Sequence, residues 1–144
     1  MNTLQNLAPK LIGSAETELM GFAFKTLGIE GVTLQIIQND KVLDMFSTED
    51  IRLSALLTKT QLGTYQLMLR SKPDNILTFI LAHEMIHLSQ MVKGKLSLDM
   101  GRRVFSWNGQ EYAASYPYDS RPWEIEAKNK GEKLWKQWKR ERKK

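Results

Sequence analysis

The spacing of apolar residues along the chain predicts an N-terminal helix followed by strands. Over residues 3–27 apolar side chains recur loosely at helical spacing, and the pattern stops at the sequence LGIEG. Residues 32–38, VTLQIIQ, are rich in β-branched side chains and alternate between apolar and polar, which is typical of a strand. Residues 51–58 and 64–70 alternate in the same way, so we expect three strands after the first helix.

The second half of the chain is dominated by one long apolar helix. The sequence SKPDN predicts a strand-to-helix junction, and apolar side chains cover most of the circumference of the segment 74–92 that follows. A helix of this kind belongs in the middle of a domain. Asn108 and Gly109, between apolar and aromatic runs, predict a tight hairpin. Pro122 then predicts the start of a last helix at about 123–142.

These elements indicate a protein of the α+β class. The 144 residues suffice for one compact domain with a core and are too few for two. Hydrophobic residues make up 42% and charged residues 26%, the balance of an ordinary globular protein. We expect residues 1–144 to form a single domain, in which the long helix crosses a small curved mixed sheet and a hairpin leads to a closing helix.

The sequence argues against several classes of protein. It contains no apolar run long enough for a transmembrane helix, and its first residues do not have the pattern of a signal peptide. Cysteine is absent, which excludes disulfides and thiolate metal sites and fits a reducing compartment. We therefore expect a cytoplasmic protein without membrane contact.

The net charge of +5 is concentrated at the C-terminus. Residues 128–144, the basic tail, contain nine lysines and arginines against two glutamates, a net charge of +7, whereas the other 127 residues sum to −2. A solvated helix end whose cations complement the helix dipole explains such a tail. Weak contact with nucleic acid is the alternative, and there Trp135 and Trp138 would stack on bases instead of packing in the core.

The sequence HEMIH carries the strongest chemical pattern. His83, Glu84 and His87 form H-E-x-x-H inside the predicted long helix, and the chain has no other histidine. Residues four apart on a helix share a face, so both imidazoles can bind one Zn²⁺. Glu84 then points beside the metal, where it can serve as general base and acid for hydrolysis. The alternative, two core histidines satisfied by neighbours, leaves a charged Glu84 on an apolar helix without a partner.

The third zinc ligand is expected to be a carboxylate, because the chain has no further histidine and no cysteine. The sequence RPWEIEAKNKG offers Glu124 and Glu126 near the start of the last helix. Helical periodicity slightly prefers Glu124, which lies nearer the apolar arc of that helix. Alternatively, neither glutamate binds a metal, and both lie in the first turn of the helix, where their negative charge complements the helix dipole.

HEMIH, followed by a hairpin and RPWEIEA, resembles the small HExxH metallopeptidases of phages and bacteria, which are minimal gluzincin-type domains similar to the ImmA/IrrE and SprT-like groups. The resemblance covers about residues 63–135 and implies a zincin-like fold. In many of these relatives the third ligand is a glutamate followed directly by alanine, which implies Glu126, with Ala127 behind it. SprT-like proteins have a third histidine instead, and ImmA-type proteins an asparagine where this chain has Lys128.

The expected function is therefore zinc-dependent hydrolysis of peptide bonds, with Zn²⁺ held by His83, His87 and Glu126 and with Glu84 as acid and base. The substrate is a peptide or protein, met in the host cytoplasm if a phage encodes the chain. The strand TYQLMLR, before the long helix, is expected to pair with an extended substrate. The alternative function is a catalytically inactive, zinc-containing binding module that docks nucleic acid or a partner protein through the basic tail.

Tyrosines and an arginine between the hairpin and the last helix are candidates for stabilising the developing oxyanion. The sequence singles out none of them: Tyr112, Tyr116, Tyr118 and Arg121.

Overall fold

Four α-helices and two β-sheets make up the chain in the computed structural model, which describes residues 1–49, 51–73 and 75–143. The elements follow in the order β1 (Thr3–Asn6), α1 (Ser14–Thr26), β2 (Thr33–Gln38), α2 (Asp40–Met45), β3 (Ala55–Gln61), β4 (Thr64–Leu69), α3 (Leu77–Val92), β5 (Leu96–Asp99), β6 (Val104–Trp107), β7 (Gln110–Ala113), a 3₁₀ turn (Tyr118–Ser120) and α4 (Pro122–Arg142). This confirms the α+β class.

The larger sheet has the strand order β1-β2-β4-β3. β1, β2 and β4 run parallel, and β3 joins the edge antiparallel to β4. The smaller sheet is the antiparallel meander β5-β6-β7. Its second turn is the predicted hairpin, and the positive φ angles of Asn108 (50°) and Gly109 (85°) are those that a type I′ turn requires.

Helix α3 lies at the centre of the molecule, as its apolar circumference predicts. It contacts α1, α4, β3 and β5, and twelve of its sixteen residues are buried. Among the described residues, no helix combines the length and the apolar character needed to cross a membrane.

The prediction of one helix over residues 3–27 is wrong at its N-terminal end. Thr3–Asn6 is a strand that pairs in parallel with β2, and α1 begins only at Ser14. The side chain of Asn6 closes the turn between them, because it accepts a hydrogen bond from the Ala8 amide and donates one to the Ile12 carbonyl. Pairing with β2 thus overrides a loose helical pattern.

The strand assignments need two further corrections. The predicted strand 51–58 is shifted, since β3 covers Ala55–Gln61. The predicted strand 64–70 is β4, but it lies inside the sheet between β2 and β3, so TYQLMLR has no free edge for a substrate. The long helix begins at Leu77 and not at about 74, and residue 74 itself lies outside the described residues.

Helix α4 packs against α3 at unusually short range, and a glycine makes this possible. A Cβ atom added to Gly131 would lie 2.9 Å from the Cα atom of His83 and 3.2 Å from its backbone nitrogen. Both atoms belong to backbone, so neither can rotate away. Gly131 therefore sets how closely α4 approaches the turn of α3 that carries the first histidine.

Replacement of Gly131 by alanine is expected to lower the free energy of unfolding by about 1–2 kcal/mol. Overpacking costs about 1–3 kcal/mol, and the better helix propensity of alanine returns up to about 1 kcal/mol. Gly21→Ala in α1 is the matched control, because its Cβ would meet no atom within 4 Å, and it should stabilise the protein. Urea denaturation of both variants tests this, and equal stabilisation by the two would contradict it.

Candidate metal centre

The two histidines project from one face of α3 toward the same point. The Nε2 atoms of His83 and His87 lie 3.1 Å apart, and the rings meet edge to face with their centroids 4.8 Å apart. The side chain of His87 is 8% exposed and that of His83 is 19% exposed. The helical spacing of four therefore brings two nitrogens with little access to solvent to one position.

Helix α4 adds a carboxylate to this pair. Oε1 of Glu124 lies 2.9 Å from Nε2 of His83 and 2.9 Å from Nε2 of His87. The three atoms form a nearly equilateral triangle with edges of 2.9–3.1 Å. Tyr118, in the 3₁₀ turn before α4, lies near the same carboxylate, and burial together with the negative charge of Glu124 raises the pKa of the Tyr118 hydroxyl. Glu124 therefore faces both histidines and the side chain of Tyr118.

The expectation that Glu126 completes the site must be corrected, because the structure places Glu124 there. Oε1 of Glu126 accepts a hydrogen bond from the side chain of Gln90, and Oε2 lies 3.7 Å from Nζ of Lys130. Two residues along a helix correspond to a rotation of about 200°, so the two glutamates leave α4 on opposite sides. Helical periodicity, which preferred Glu124, was the better guide than the glutamate–alanine pattern.

Glu84 lies beside the histidines. One of its carboxylate oxygens is within 4.8 Å of a ring nitrogen of each histidine, and the residue is 8% exposed. Burial raises the pKa of Glu84 above its ordinary value, since the neighbouring histidines lower it by less. Glu84 therefore holds a proton to higher pH than an exposed glutamate does.

His87 and Glu124 shift each other's pKa in opposite directions. Burial would lower the pKa of His87, but the charge and hydrogen bond of Glu124 outweigh it and raise that pKa to about 9. Burial would likewise raise the pKa of Glu124, but His87 and His83 hold it far below its usual range. The cluster is built to hold a positive charge between the two rings and the Glu124 carboxylate.

The same triangle fits a zinc ion. Ligand atoms of a tetrahedral site with bonds of about 2.0–2.1 Å are about 3.3 Å apart, and the observed 2.9–3.1 Å is close to that spacing. Two imidazole nitrogens and one carboxylate oxygen are a donor set that zinc commonly has in catalytic sites. His83, His87 and Glu124 can therefore hold the metal that the sequence predicts.

An open cleft of about 400 Å³ adjoins the three side chains. Its walls come from residues 51–57, from the start of α3, and from the segment that carries Tyr118 and Trp123. Arg121 fixes this segment, because its buried guanidinium donates hydrogen bonds to the carbonyls of Tyr116 and Ala114. The metal position is therefore reachable by a ligand from outside.

Sequence reasoning missed several residues that shape this centre. Gln90 accepts a hydrogen bond from His87, and its position three residues after His87, on the same helix face, was an available signal. Gly131 gave no signal, because a close helix approach leaves no pattern in a single sequence. Tyr118 and Arg121 were among the oxyanion candidates, and both line the cleft.

The two tryptophans of the basic tail are not available for stacking on nucleic-acid bases. Trp138 is buried, and the Arg142 guanidinium covers its ring at 4.7 Å. The indole nitrogen of Trp135 donates to Thr78, and Nζ of Lys139 lies 3.8 Å from its ring centroid. Both side chains serve packing, as their helical spacing suggests.

Comparison with models of protein families, with curated proteins and with solved structures finds no match for this chain.

The purified protein is expected to bind about one Zn²⁺, and Glu124→Ala should weaken that binding by at least about 100-fold. Loss of a direct ligand should exceed the 10–100-fold effect that is usual for residues one contact further out. Glu126→Ala, which removes a contact to Gln90 and not a direct ligand, should weaken binding clearly less than Glu124→Ala does. Competition with a chromophoric chelator measures both, and the reverse order of effects would restore Glu126 as the ligand.

Proposed function

We propose that this protein is a zinc-dependent metallopeptidase that hydrolyses peptide bonds, with zinc held by His83, His87 and Glu124. The observation that carries the proposal is the convergence of two imidazole nitrogens and one carboxylate oxygen within 3.1 Å, beside a buried glutamate and at an open cleft. Catalytic zinc sites keep one position open for water or substrate, and the cleft supplies access to it. A structural site would be closed by a fourth protein ligand.

The chemistry divides between the metal and Glu84. When bound, zinc supplies a Lewis acid that polarises a carbonyl and makes water a nucleophile near neutral pH. The carboxylate of Glu84 accepts the proton of the attacking water and then donates it to the nitrogen of the leaving amine. The position of Glu84 suits both transfers, because one of its carboxylate oxygens lies within 4.8 Å of a ring nitrogen of each histidine.

A peptide substrate would lie along β3. Among the described residues this strand pairs with β4 on one side, and it forms the edge of the larger sheet. Its residues Ala55–Leu57 line the cleft next to His83 and Glu84. An extended peptide that adds to this edge gains main-chain hydrogen bonds, so we replace TYQLMLR by β3 as the proposed substrate strand.

The zincin-like fold is part of the same proposal. A mixed sheet with an antiparallel edge strand precedes the HExxH helix, and a later helix supplies the carboxylate. This order of elements supports the resemblance to minimal gluzincin-type peptidases.

The alternative is a binding module in which zinc has a structural role and α4 contacts nucleic acid. The charge of +7 over residues 128–144 favours it. Trp135 and Trp138 are engaged in packing. Binding of nucleic acid would therefore depend on attraction between the basic side chains and the phosphates, and it would not depend on the base sequence.

Replacement of Glu84 by glutamine is expected to leave zinc binding intact and to reduce peptide hydrolysis by about 10²–10⁴-fold, because an amide cannot accept the proton from water. The assay combines metal analysis with cleavage of a quenched fluorescent peptide library. Glu132→Gln, at an exposed position on α4, is the control and should hydrolyse like the wild type. Undiminished hydrolysis by Glu84→Gln would remove Glu84 from the mechanism.

Charge reversal on the tail tests the alternative function. If α4 binds phosphates through three cations, a rise from 50 to 200 mM salt should weaken binding to a short oligonucleotide by about 40-fold. The double variant Arg140→Glu, Lys143→Glu should then abolish binding at low salt, whereas Lys10→Glu, Lys41→Glu, with the same change in net charge, should not. Fluorescence anisotropy measures this, and equal loss in both would show only a general charge effect.

A further inference from the structure

We propose that Gln90 and Glu126 are positioning residues for His87: Gln90 fixes which ring nitrogen faces the metal position, and Glu126 fixes the orientation of the Gln90 amide. The inference rests on the zinc site proposed above. It assigns a role to Glu126 other than that of a ligand.

The contact between His87 and Gln90 is short and buried. Nδ1 of His87 lies 2.8 Å from Oε1 of Gln90, and Gln90 is 2% exposed. Nε2 of the same histidine points to the other side, toward His83 and Glu124. The two nitrogens of the ring therefore have separate partners.

The amide of Gln90 can adopt one orientation. Its Nε2 atom donates to the backbone carbonyl of Trp123 at 3.1 Å and to Oε1 of Glu126 at 3.1 Å. These two partners are acceptors only, since neither a carbonyl nor a carboxylate has a proton to give. A flipped amide would bring its oxygen against both of these oxygens and would lose both hydrogen bonds.

The orientation of the amide determines the protonation of the ring. Oε1 of Gln90 faces His87 and can only accept, so Nδ1 of His87 carries the hydrogen and donates it. The lone pair of Nε2 is then left for a cation. Metal-ligating histidines usually have a partner on the second ring nitrogen that fixes the tautomer and the ring orientation, and here an amide fills that position.

An amide suits this position better than a carboxylate would. The site already contains the carboxyl groups of Glu84, which is buried, and of Glu124, whose side chain is 11% exposed, and a third negative charge next to His87 would add repulsion. Gln90 accepts the hydrogen bond without a charge. The charge of Glu126 remains one side chain further away, where it is 28% exposed and lies 3.7 Å from Lys130.

The first test replaces Gln90 by leucine, which keeps the approximate volume and removes the acceptor. We expect zinc affinity to fall by about 10–100-fold, and the visible spectrum of the cobalt-substituted protein to change because the His87 ring is no longer held. Ser89→Ala is the control, a buried polar residue on α3 that helical spacing directs away from the histidines. Unchanged affinity and an unchanged cobalt spectrum in Gln90→Leu would overturn the inference.

The second test exchanges the two side chains. Gln90→Glu places a carboxylate against Glu126 and the Trp123 carbonyl, so zinc affinity should fall. Adding Glu126→Gln supplies an amide that can donate to the new carboxylate. The double variant should therefore bind zinc at least about tenfold more tightly than Gln90→Glu alone, which is the size of effect expected for a residue that contacts a metal ligand. This pair also decides the question if Gln90→Leu does not fold. Equal affinity of the single and double variants would overturn the role of Glu126.

The outcomes separate this inference from the proposed function. A wild-type protein that binds no zinc would overturn both. Zinc binding that depends on Glu124 but is indifferent to every change at Gln90 would overturn the positioning role alone. Loss of hydrolysis without loss of zinc affinity in Gln90→Leu would also contradict it, because the proposed action of Gln90 is on the metal ligand.

Discussion

The contact between α3 and α4 is the constraint on which the candidate site depends. Two of the proposed ligands lie on α3 and one lies on α4, so the distance between the helices decides whether the three atoms can meet. Gly131 allows backbone contact at His83, about two helical turns from Glu124. Trp123, Leu134 and Trp138 bury the same face of α4 against the core, so the packing that stabilises the fold also positions the carboxylate.

The three glutamates around the histidines differ in role because they differ in distance and exposure. Glu124 touches both rings and keeps its charge, since the histidines hold its pKa very low. Glu84 is buried beside them without so strong a compensation, and its pKa rises. Glu126 is partly exposed, pairs with Lys130 and contacts the site only through Gln90. In the proposed site one residue type would thus supply a ligand, a proton-transfer group and an orienting group, and environment alone would separate the three roles.

The sequence predicts correctly the elements that depend on interactions between residues close to each other along the chain. Helix α3, helix α4, the turn at Asn108 and Gly109, and the histidine pair all follow from periodicity or turn chemistry over a few residues. The errors concern pairing between distant segments. Thr3–Asn6 is a strand only because β2 lies beside it. β3 is the edge strand because β4, which follows it in the chain, pairs in parallel with β2.

The rotation of α4 about its axis determines which of Glu124 and Glu126 reaches the histidines. A shift of two residues along a helix corresponds to a rotation of about 200°, so one of the two glutamates at most can face the histidines. In this chain the buried arc of α4 contains Trp123, Ala127 and Leu134, and this arc fixes the rotation independently of any relative. Glu124 borders that arc and Glu126 does not. Burial of large apolar side chains is worth several kcal/mol, more than either carboxylate could gain by turning the helix, so the apolar arc decides which glutamate reaches the histidines.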